Sequence, residues 1–378
     1  MFMSERERSD LLVGRSGLPA RFYHDAEFFE AEVDKFFSKM WFYVGREEDL
    51  PQTGDYLVRE VGGSSFFVIR TEVGEVKGFH NFCRHRCAKL LADTGSAKRI
   101  IQCPYHAWSY SLEGKLVGAP NMDSLEGFDS AEYGLVPLRV AAWKGFLFAS
   151  LGEPSTPLSE AHKEFFELCE HLALEELRRG GRLEYNVEAN WKIIAENYSE
   201  CYHCPPVHPS LNRITPYYTA SGSITRLDWE KGCANACGYM SFAGDYNSMT
   251  VTGYTNRPPL RGTRDEDTRR IYYTLLFPNM FFSLHPDYLM VHALWPVNQN
   301  TTRILCDFYF EPSVVSNAAF DPRDAVGIWD EINKQDWSVC ELTHQGTSSK
   351  FAVQGPYAKN ERRVHDFDVF VVKGLGLL

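Results

Sequence analysis

Apolar residues recur at three- and four-residue spacing between 21 and 42. In DAEFFEAEVDKFFSKMW, Phe28, Phe29, Val33, Phe36, Phe37 and Met40 fall on one face, which predicts an amphipathic helix docked on a larger body. From about 44 to 150 the pattern changes to short apolar alternations such as DYLVREVGGSSFFVIRT and GFLFASLG, with turn signals at Gly62-Gly63 and Glu113-Gly114. A small all-β domain is expected there. Helical spacing returns from Ser159 to Arg179, and Gly180-Gly181 should stop that helix before the alternation of LEYNVEA. Further strands are predicted at RIYYTLLF, MFFSLH, YLMVHALWP and TRILCDFYFEP, and a long helix over 322–345, with Asp321 as its cap and Pro322 in its first turn. The polar run TNRPPLRGTRDEDTRR, 255–270, reads as a mobile loop, and no internal repeat or low-complexity tract is evident.

A chain of 378 residues exceeds the size at which one hydrophobic core usually suffices. The pattern therefore predicts an α+β protein in three stretches: a helical segment over 1–43, an all-β domain over 44–152, and an α+β domain over 153–378. Hydrophobic residues at 44% and charged residues at 24% fit a folded chain, and 14% aromatics leave rings for pocket walls. The net charge of −11 disfavours nucleic acid or an anionic membrane as partner. No apolar run is long enough to span a bilayer, and MFMSERERSDLL lacks the apolar core of a secretory signal, so a cytoplasmic location is expected. Ten cysteines in so long a chain, kept in a reducing compartment, should be thiols or metal ligands.

Two of those cysteines stand in a metal-binding pattern. Cys83-x-His85, then seventeen residues, then Cys103-x-x-His106 supplies two thiolates and two imidazoles from separated loops. Two cysteines on one iron and two histidines on the other is the ligand set of a Rieske [2Fe–2S] centre. A Cys2His2 zinc site uses the same atoms, but its usual sequence pairs cysteine with cysteine and histidine with histidine. Here each loop contributes one of each.

A second set lies about a hundred residues on, in NWKIIAENYSECYHCPPVHPS. Asn190 suits a helix cap, and Pro205 and Pro206 are expected to end the helix after Cys204. On an uninterrupted helix His203 and His208 would point about 140° apart, so the proline break is needed to aim both at one ion. Two histidines and a carboxylate form the facial triad of non-haem Fe(II) oxygenases. Glu200, three residues before His203 on the same helix face, is placed to orient a ligand imidazole. Asn197, one turn earlier, is a candidate for the pocket wall. The alternatives are ordinary polar histidines at a helix end, or zinc held by Cys201, His203, Cys204 and His208.

The stretches CRHRCAKL and CPYHAWSY, with the NWK and ENY flanks downstream, resemble the Rieske non-haem iron oxygenases, and the resemblance runs from about Leu18 to Gln345. Cys87 departs from it, since the family commonly has glycine there. The resemblance implies a Rieske domain followed by a helix-grip (START-like) catalytic domain with an antiparallel sheet, and a mononuclear Fe(II) in addition to the cluster, too far from it within one chain for electron transfer. Among Asp330, Glu331, Asp336 and Glu341 on the long helix, QDWSVCELTHQG matches the family's ligand helix at Asp336, with Glu341 as runner-up. It also implies a homotrimer in which the carboxylate at 200 bridges His203 to a cluster histidine, His106, of the neighbouring chain. Glutamate replaces the commoner aspartate there. No G-x-G-x-x-G fingerprint is present, so a separate flavin and iron–sulfur reductase is implied as the electron source.

ENYSECYHCPPVHP looks most like the branch that oxidises betaines, carnitine-like compounds and related quaternary amines. That predicts an oxidoreductase, the terminal oxygenase of a mono- or dioxygenase system, whose O₂-dependent hydroxylation of a small-molecule substrate leads to N-demethylation. The alternatives are hydroxylation of an aromatic ring or acid, and a Rieske electron carrier without turnover. An aromatic cage suits such a cation, and Tyr217, Tyr218, Trp229, Phe281 and Phe282 are available for it.

Overall fold

Strand propensity between 42 and 150 is satisfied by two antiparallel sheets. One has seven strands in the spatial order Phe42–Arg46, Phe146–Ser150, Pro137–Trp143, Val76–His80, Ser64–Arg70, Asp55–Val61 and Gly95–Ser96. The other has three, Ile100–Gln102, Ser109–Ser111 and Leu116–Gly118. Gly62 and Gly63 join the Asp55–Val61 and Ser64–Arg70 strands with φ of 53° and 77°. A two-residue hairpin turn of that hand needs positive φ at both positions, which glycine supplies without a steric cost. Phe66, Phe67, Val68 and Ile69 are all buried, so this strand is covered on both faces.

The computed structural model describes residues 2–378, which fall into two units: residues 37–155, and residues 2–36 together with 156–378. The second unit is built on a six-stranded antiparallel sheet ordered Arg178–Val187, Thr301–Phe310, Leu289–Asn298, Met280–Leu284, Arg270–Leu276 and Asn235–Ser241. The Arg323–Thr347 helix packs through Ala325, Ile328, Trp329, Ile332, Trp337, Cys340 and His344, a stripe at helical spacing. It lies beside the shorter Trp191–Tyr198 helix. The amino-terminal segment is tied to this unit by polar contacts: Trp191 Nε1 donates to Glu32 at 2.7 Å, and Lys192 Nζ pairs with the same carboxylate at 2.7 Å, fully buried. No helix among the described residues is long and apolar enough to cross a membrane.

Several elements differ from the sequence expectation for identifiable reasons. The helix expected over 21–42 is divided, because Asp25 takes an extended backbone between Arg21–His24 and Ala26–Glu32, which continues as a wider turn over Val33–Phe37. Helix after Ser159 ends at Leu168. Gly180 and Gly181 do not stop it; they lie inside the Arg178–Val187 strand at a bulge. A Cβ on Gly180 would fall 2.6 Å from Phe320 and 2.7 Å from Phe310, so glycine is there for close packing. The polar run 255–270 is fixed by ion pairs: Arg257 bonds Asp287 and Asp324, and Arg261 bonds Glu311 and Glu176.

Candidate metal centres

In the 37–155 unit the two loops bearing Cys83-x-His85 and Cys103-x-x-His106 fold alike. The N–H of Cys87 donates to the Cys83 carbonyl at 2.9 Å, and that of Ala107 to the Cys103 carbonyl at 3.1 Å. Both turning residues take left-handed backbone, with φ of 56° and 57°. The sulfurs of Cys83 and Cys103 are buried while His85 and His106 are exposed, with ring centroids 4.7 Å apart. This donor set suits a [2Fe–2S] group with its sulfur-bound iron inside and its nitrogen-bound iron towards solvent. Hydrogen-bonding groups surround the sulfurs: Tyr110 Oη lies 3.3 Å from Cys83 Sγ, and the Tyr105 N–H donates to Cys103 Sγ at 3.5 Å. Such contacts raise the reduction potential of a cluster. Trp108 stacks on His85 at 4.9 Å, fixing that ring. Cys87, in the first of these loops, is an exposed free thiol.

The second set forms in the other unit, by a different local route from the one its sequence predicts. Asn190 caps the Trp191–Tyr198 helix, its side chain accepting from the Lys192 N–H at 3.0 Å. That helix ends at Ser199, before Glu200. Pro205 and Pro206 then start a new turn, Cys204–Val207, instead of ending an old one. Proline fits a first helical turn because its missing N–H is not required there. His203 precedes this turn and His208 sits between it and the Pro209–Ile214 helix. The two imidazoles come to 5.1 Å between centroids, nearly perpendicular at 82°.

Asp336 reaches both from the Arg323–Thr347 helix. Its Oδ1 lies 2.8 Å from His208 Nε2 and 3.3 Å from His203 Nε2. Donor atoms held by one ion at about 2.1 Å, in neighbouring octahedral positions, are about 3 Å apart; both contacts to Asp336 are near that spacing, and all three ligand atoms lie within 4.8 Å of one another, a set able to hold one metal ion. The outward nitrogens are also held: His203 Nδ1 by Glu200 at 2.5 Å, His208 Nδ1 by Gln335 at 2.8 Å. Glu200 meets His203 through a loop, not along a helix face, and its other oxygen accepts from the Tyr202 N–H. Burial opposes charge on His203, but the hydrogen bonds to Asp336 and Glu200 outweigh it and raise the imidazole to about 10. Burial likewise opposes ionisation of Asp336, yet the two imidazoles hold it near 2.

The other carboxylates of the long helix are engaged elsewhere. Asp330 accepts from Tyr185, Glu331 from Ser210, and Glu341 from the backbone N–H of Glu188. The expectation that every cysteine remains a thiol or a ligand is not met: the turn at 201–204 brings two Cα atoms to 4.9 Å, and Cys201 is disulfide-bonded to Cys204. The zinc alternative for this segment thereby loses both sulfurs.

The triad opens on a cavity of about 810 Å³ whose wall includes Asn197, Glu200, Tyr217 and Tyr218. Trp229, Phe281 and Phe282 lie outside it. Trp229 packs on Phe370; the two phenylalanines point to opposite faces of one strand, Phe281 stacked on Tyr198 and Phe282 against Phe165. Beside Tyr217 and Tyr218 the aromatic wall is made by Tyr198, Tyr273, Trp329 and Trp337, which the sequence reading missed together with Gln335, His292, Asn333 and Arg363. Gln335 adjoins Asp336, and His292 interrupts the apolar run LMVHALWP; both were visible as irregularities. Burial keeps His292 neutral, lowering it to about 4 against a partial rescue by Asn333, 3.2 Å away. His292 Nδ1 and Trp337 Nε1 have no hydrogen-bond partner among the described residues, which leaves buried polar atoms in the cavity wall for a ligand to satisfy.

Residues 40–129 match the model of the Rieske [2Fe-2S] domain, and residues 174–376 that of the ring hydroxylating alpha subunit, catalytic domain. The chain is 38% identical to the carnitine monooxygenase oxygenase subunit of Acinetobacter pittii (strain PHEA-2), over 91% of this chain and 89% of the relative. It is 28% identical to the chloroplastic choline monooxygenase of Arabidopsis thaliana, over 95% and 83%. The crystal structure of the quaternary ammonium Rieske monooxygenase CntA in complex with its substrate gamma-butyrobetaine superposes with a TM-score of 0.80 at 26% identity, covering 100% of this chain and 99% of that one. A naphthalene 1,2-dioxygenase from Rhodococcus sp., at 19% identity, 99% and 98% coverage and a TM-score of 0.75, shares the fold.

Proposed function

The chain belongs to the Rieske-type ring-hydroxylating oxygenase family, as an alpha (oxygenase) subunit, and from that premise we propose that it hydroxylates an N-methyl group of a quaternary or methylated amine such as a betaine. It is an oxidoreductase of the monooxygenase and dioxygenase class, with a Rieske cluster, a mononuclear iron and O₂ as co-substrate. The observation that carries the substrate reading is the cavity wall. Tyr198, Tyr273, Trp329 and Trp337 line the cavity beside His203, His208 and Asp336, and a desolvated quaternary ammonium seated on aromatic ring faces is attracted by about 2 kcal/mol or more.

In this reading Cys83, Cys103, His85 and His106 hold the cluster, and His203, His208 and Asp336 hold the iron. Glu200 fixes the His203 ring and bridges to the neighbouring chain's cluster in a homotrimer, fed by a separate NAD(P)H-dependent reductase in the cytoplasm. The metals supply electron delivery and O₂ activation. The protein groups orient the ligand imidazoles, exclude water from the methyl group and keep His292 uncharged beside a cationic substrate. The overall reaction takes one O₂, two electrons and two protons, and returns a hydroxymethyl ammonium and water. Loss of formaldehyde and a proton from that product leaves the demethylated amine.

The test is O₂ consumption by the metal-loaded enzyme with a generic reductase and a panel of substrates. Consumption with a quaternary amine and stoichiometric formaldehyde supports the reading. Consumption with an aromatic acid alone, without formaldehyde, overturns it.

A further inference from the structure

Two arginines line the cavity that holds the triad. Arg362 pairs with Asp366 at 3.1 Å. Arg363 has no carboxylate within ion-pair distance among the described residues, and only its Nε is used, donating to the carbonyl of Ser199 at 3.0 Å. The four N–H groups of Nη1 and Nη2 have no hydrogen-bond acceptor among those residues.

The position is made for this side chain. A Cβ on Gly238, in the Asn235–Ser241 strand, would fall 2.3 Å from Arg363 Nη1 and 3.3 Å from Ser221 Oγ, so the guanidinium fills a slot kept open by the absent side chain. Burial pushes the Arg363 pKa down, with Cys237, Tyr198 and Glu200 only partly offsetting it, which marks a charge short of counter-charge. Capping the end of the Trp191–Tyr198 helix through Ser199 needs only Nε. The planar fork that suits a carboxylate is left facing the cavity. The same cavity carries Glu200 and Asp336 together with Lys359 and Arg362, but among its cations only Arg363 combines a planar fork with two unused nitrogens held in a packed slot.

We propose that Arg363 is a specificity-determining residue that binds a carboxylate of the substrate, so that the preferred substrate is a zwitterion with a methylated ammonium at one end and a carboxylate at the other. The ammonium half of this statement rests on the function proposed above; the carboxylate half does not. An aminoalcohol or an esterified analogue offers the fork no anion, and the buried guanidinium then stays unpaired.

The experiment measures binding to the metal-loaded enzyme without O₂, for two matched pairs: gamma-butyrobetaine with its methyl ester, and benzoate with methyl benzoate. Wild type should bind gamma-butyrobetaine more tightly than its ester by about tenfold or more. Arg363→Gln should weaken the acid by about 10- to 100-fold and the ester by less than about threefold. Arg363→Lys, which keeps the charge without the fork, should fall between and carries the same comparison if Arg363→Gln loses its metals. Gly238→Ala should show the same selective loss by displacing the guanidinium. Equal losses for acid and ester would reduce Arg363 to a helix cap and overturn the proposal, as would a wild type that does not distinguish them or binds neither acid. Arg363-dependent binding of benzoate alone would support the carboxylate assignment while overturning the methylated-ammonium reading.

Discussion

Oδ1 of Asp336 lies 2.8 Å from Nε2 of His208 across 128 positions of sequence. The carboxylate also faces His203, while Gln335, its neighbour in the chain, holds the far nitrogen of His208. One helical segment thus supplies both the proposed carboxylate ligand and the support of a proposed imidazole ligand. Asp336→Asn is expected to abolish mononuclear iron binding at concentrations that saturate wild type, with cluster absorbance unchanged. Gln335→Leu should weaken iron binding by about 10- to 100-fold. Iron retained by Asp336→Asn at wild-type affinity would exclude it as a ligand.

Glu200 contacts His203 through one oxygen and the Tyr202 backbone through the other. Glu200→Gln keeps the size of the side chain and removes its charge, so both metals should still load. Reoxidation of the reduced cluster in a single turnover should slow by about 10- to 100-fold. An unchanged rate would show that electrons do not depend on this carboxylate.

The two cluster loops were legible because the four candidate ligands lie within 24 positions and their spacing alone specifies two loops. The iron site was legible in its ligand types but not in its path. The residues from Glu200 to His208 were read as the end of one helix, whereas Pro205 and Pro206 begin another turn, and Glu200 reaches His203 through a loop. Proline disfavours helix at the residue before it yet suits a first helical turn, and the sequence alone does not state which tendency governs at Pro205-Pro206. Tertiary packing accounts for the other misreadings. Gly180 looks like a helix stop until Phe310 and Phe320 are seen against it. Phe281 and Phe282 look like cage residues until both faces of their strand are seen to be covered.

Cys87 holds a left-handed backbone conformation, φ 56°, at the position matched by Ala107 in the other cluster loop. A side chain there costs about 1–2 kcal/mol, part of which glycine returns through the greater freedom of the unfolded chain. Cys87→Gly should therefore leave cluster iron and sulfide content unchanged and raise stability by up to about 1 kcal/mol in denaturant unfolding. Loss of the cluster would reveal a ligand role for the thiol.

Glu196 and Asp368 are buried together on the Trp191–Tyr198 and Arg362–Gly374 helices, with Tyr23 donating to Glu196 at 2.8 Å and Tyr357 donating to Asp368. Burial raises both carboxyls, and the Asp368 charge opposes ionisation of Glu196 further; Asp368 is pushed up to about 7 even with the hydrogen bonds to Tyr357 and Glu196 and the nearby Lys192 working the other way. The ordinary value for an aspartate is 3.8, so between these limits the folded state binds a proton that the unfolded state has released. Stability from this group is therefore present in acid and lost as pH rises towards 7, with a slope of at most about 1.4 kcal/mol per pH unit. Asp368→Asn keeps an acceptor for Tyr357 and removes the charge. Its stability relative to wild type should climb from pH 5 to pH 7 and level off above, a difference that cancels the titrating groups other than Asp368 and its partner Glu196. A constant difference across that range would mean that Asp368 is already ionised in the folded protein at pH 5.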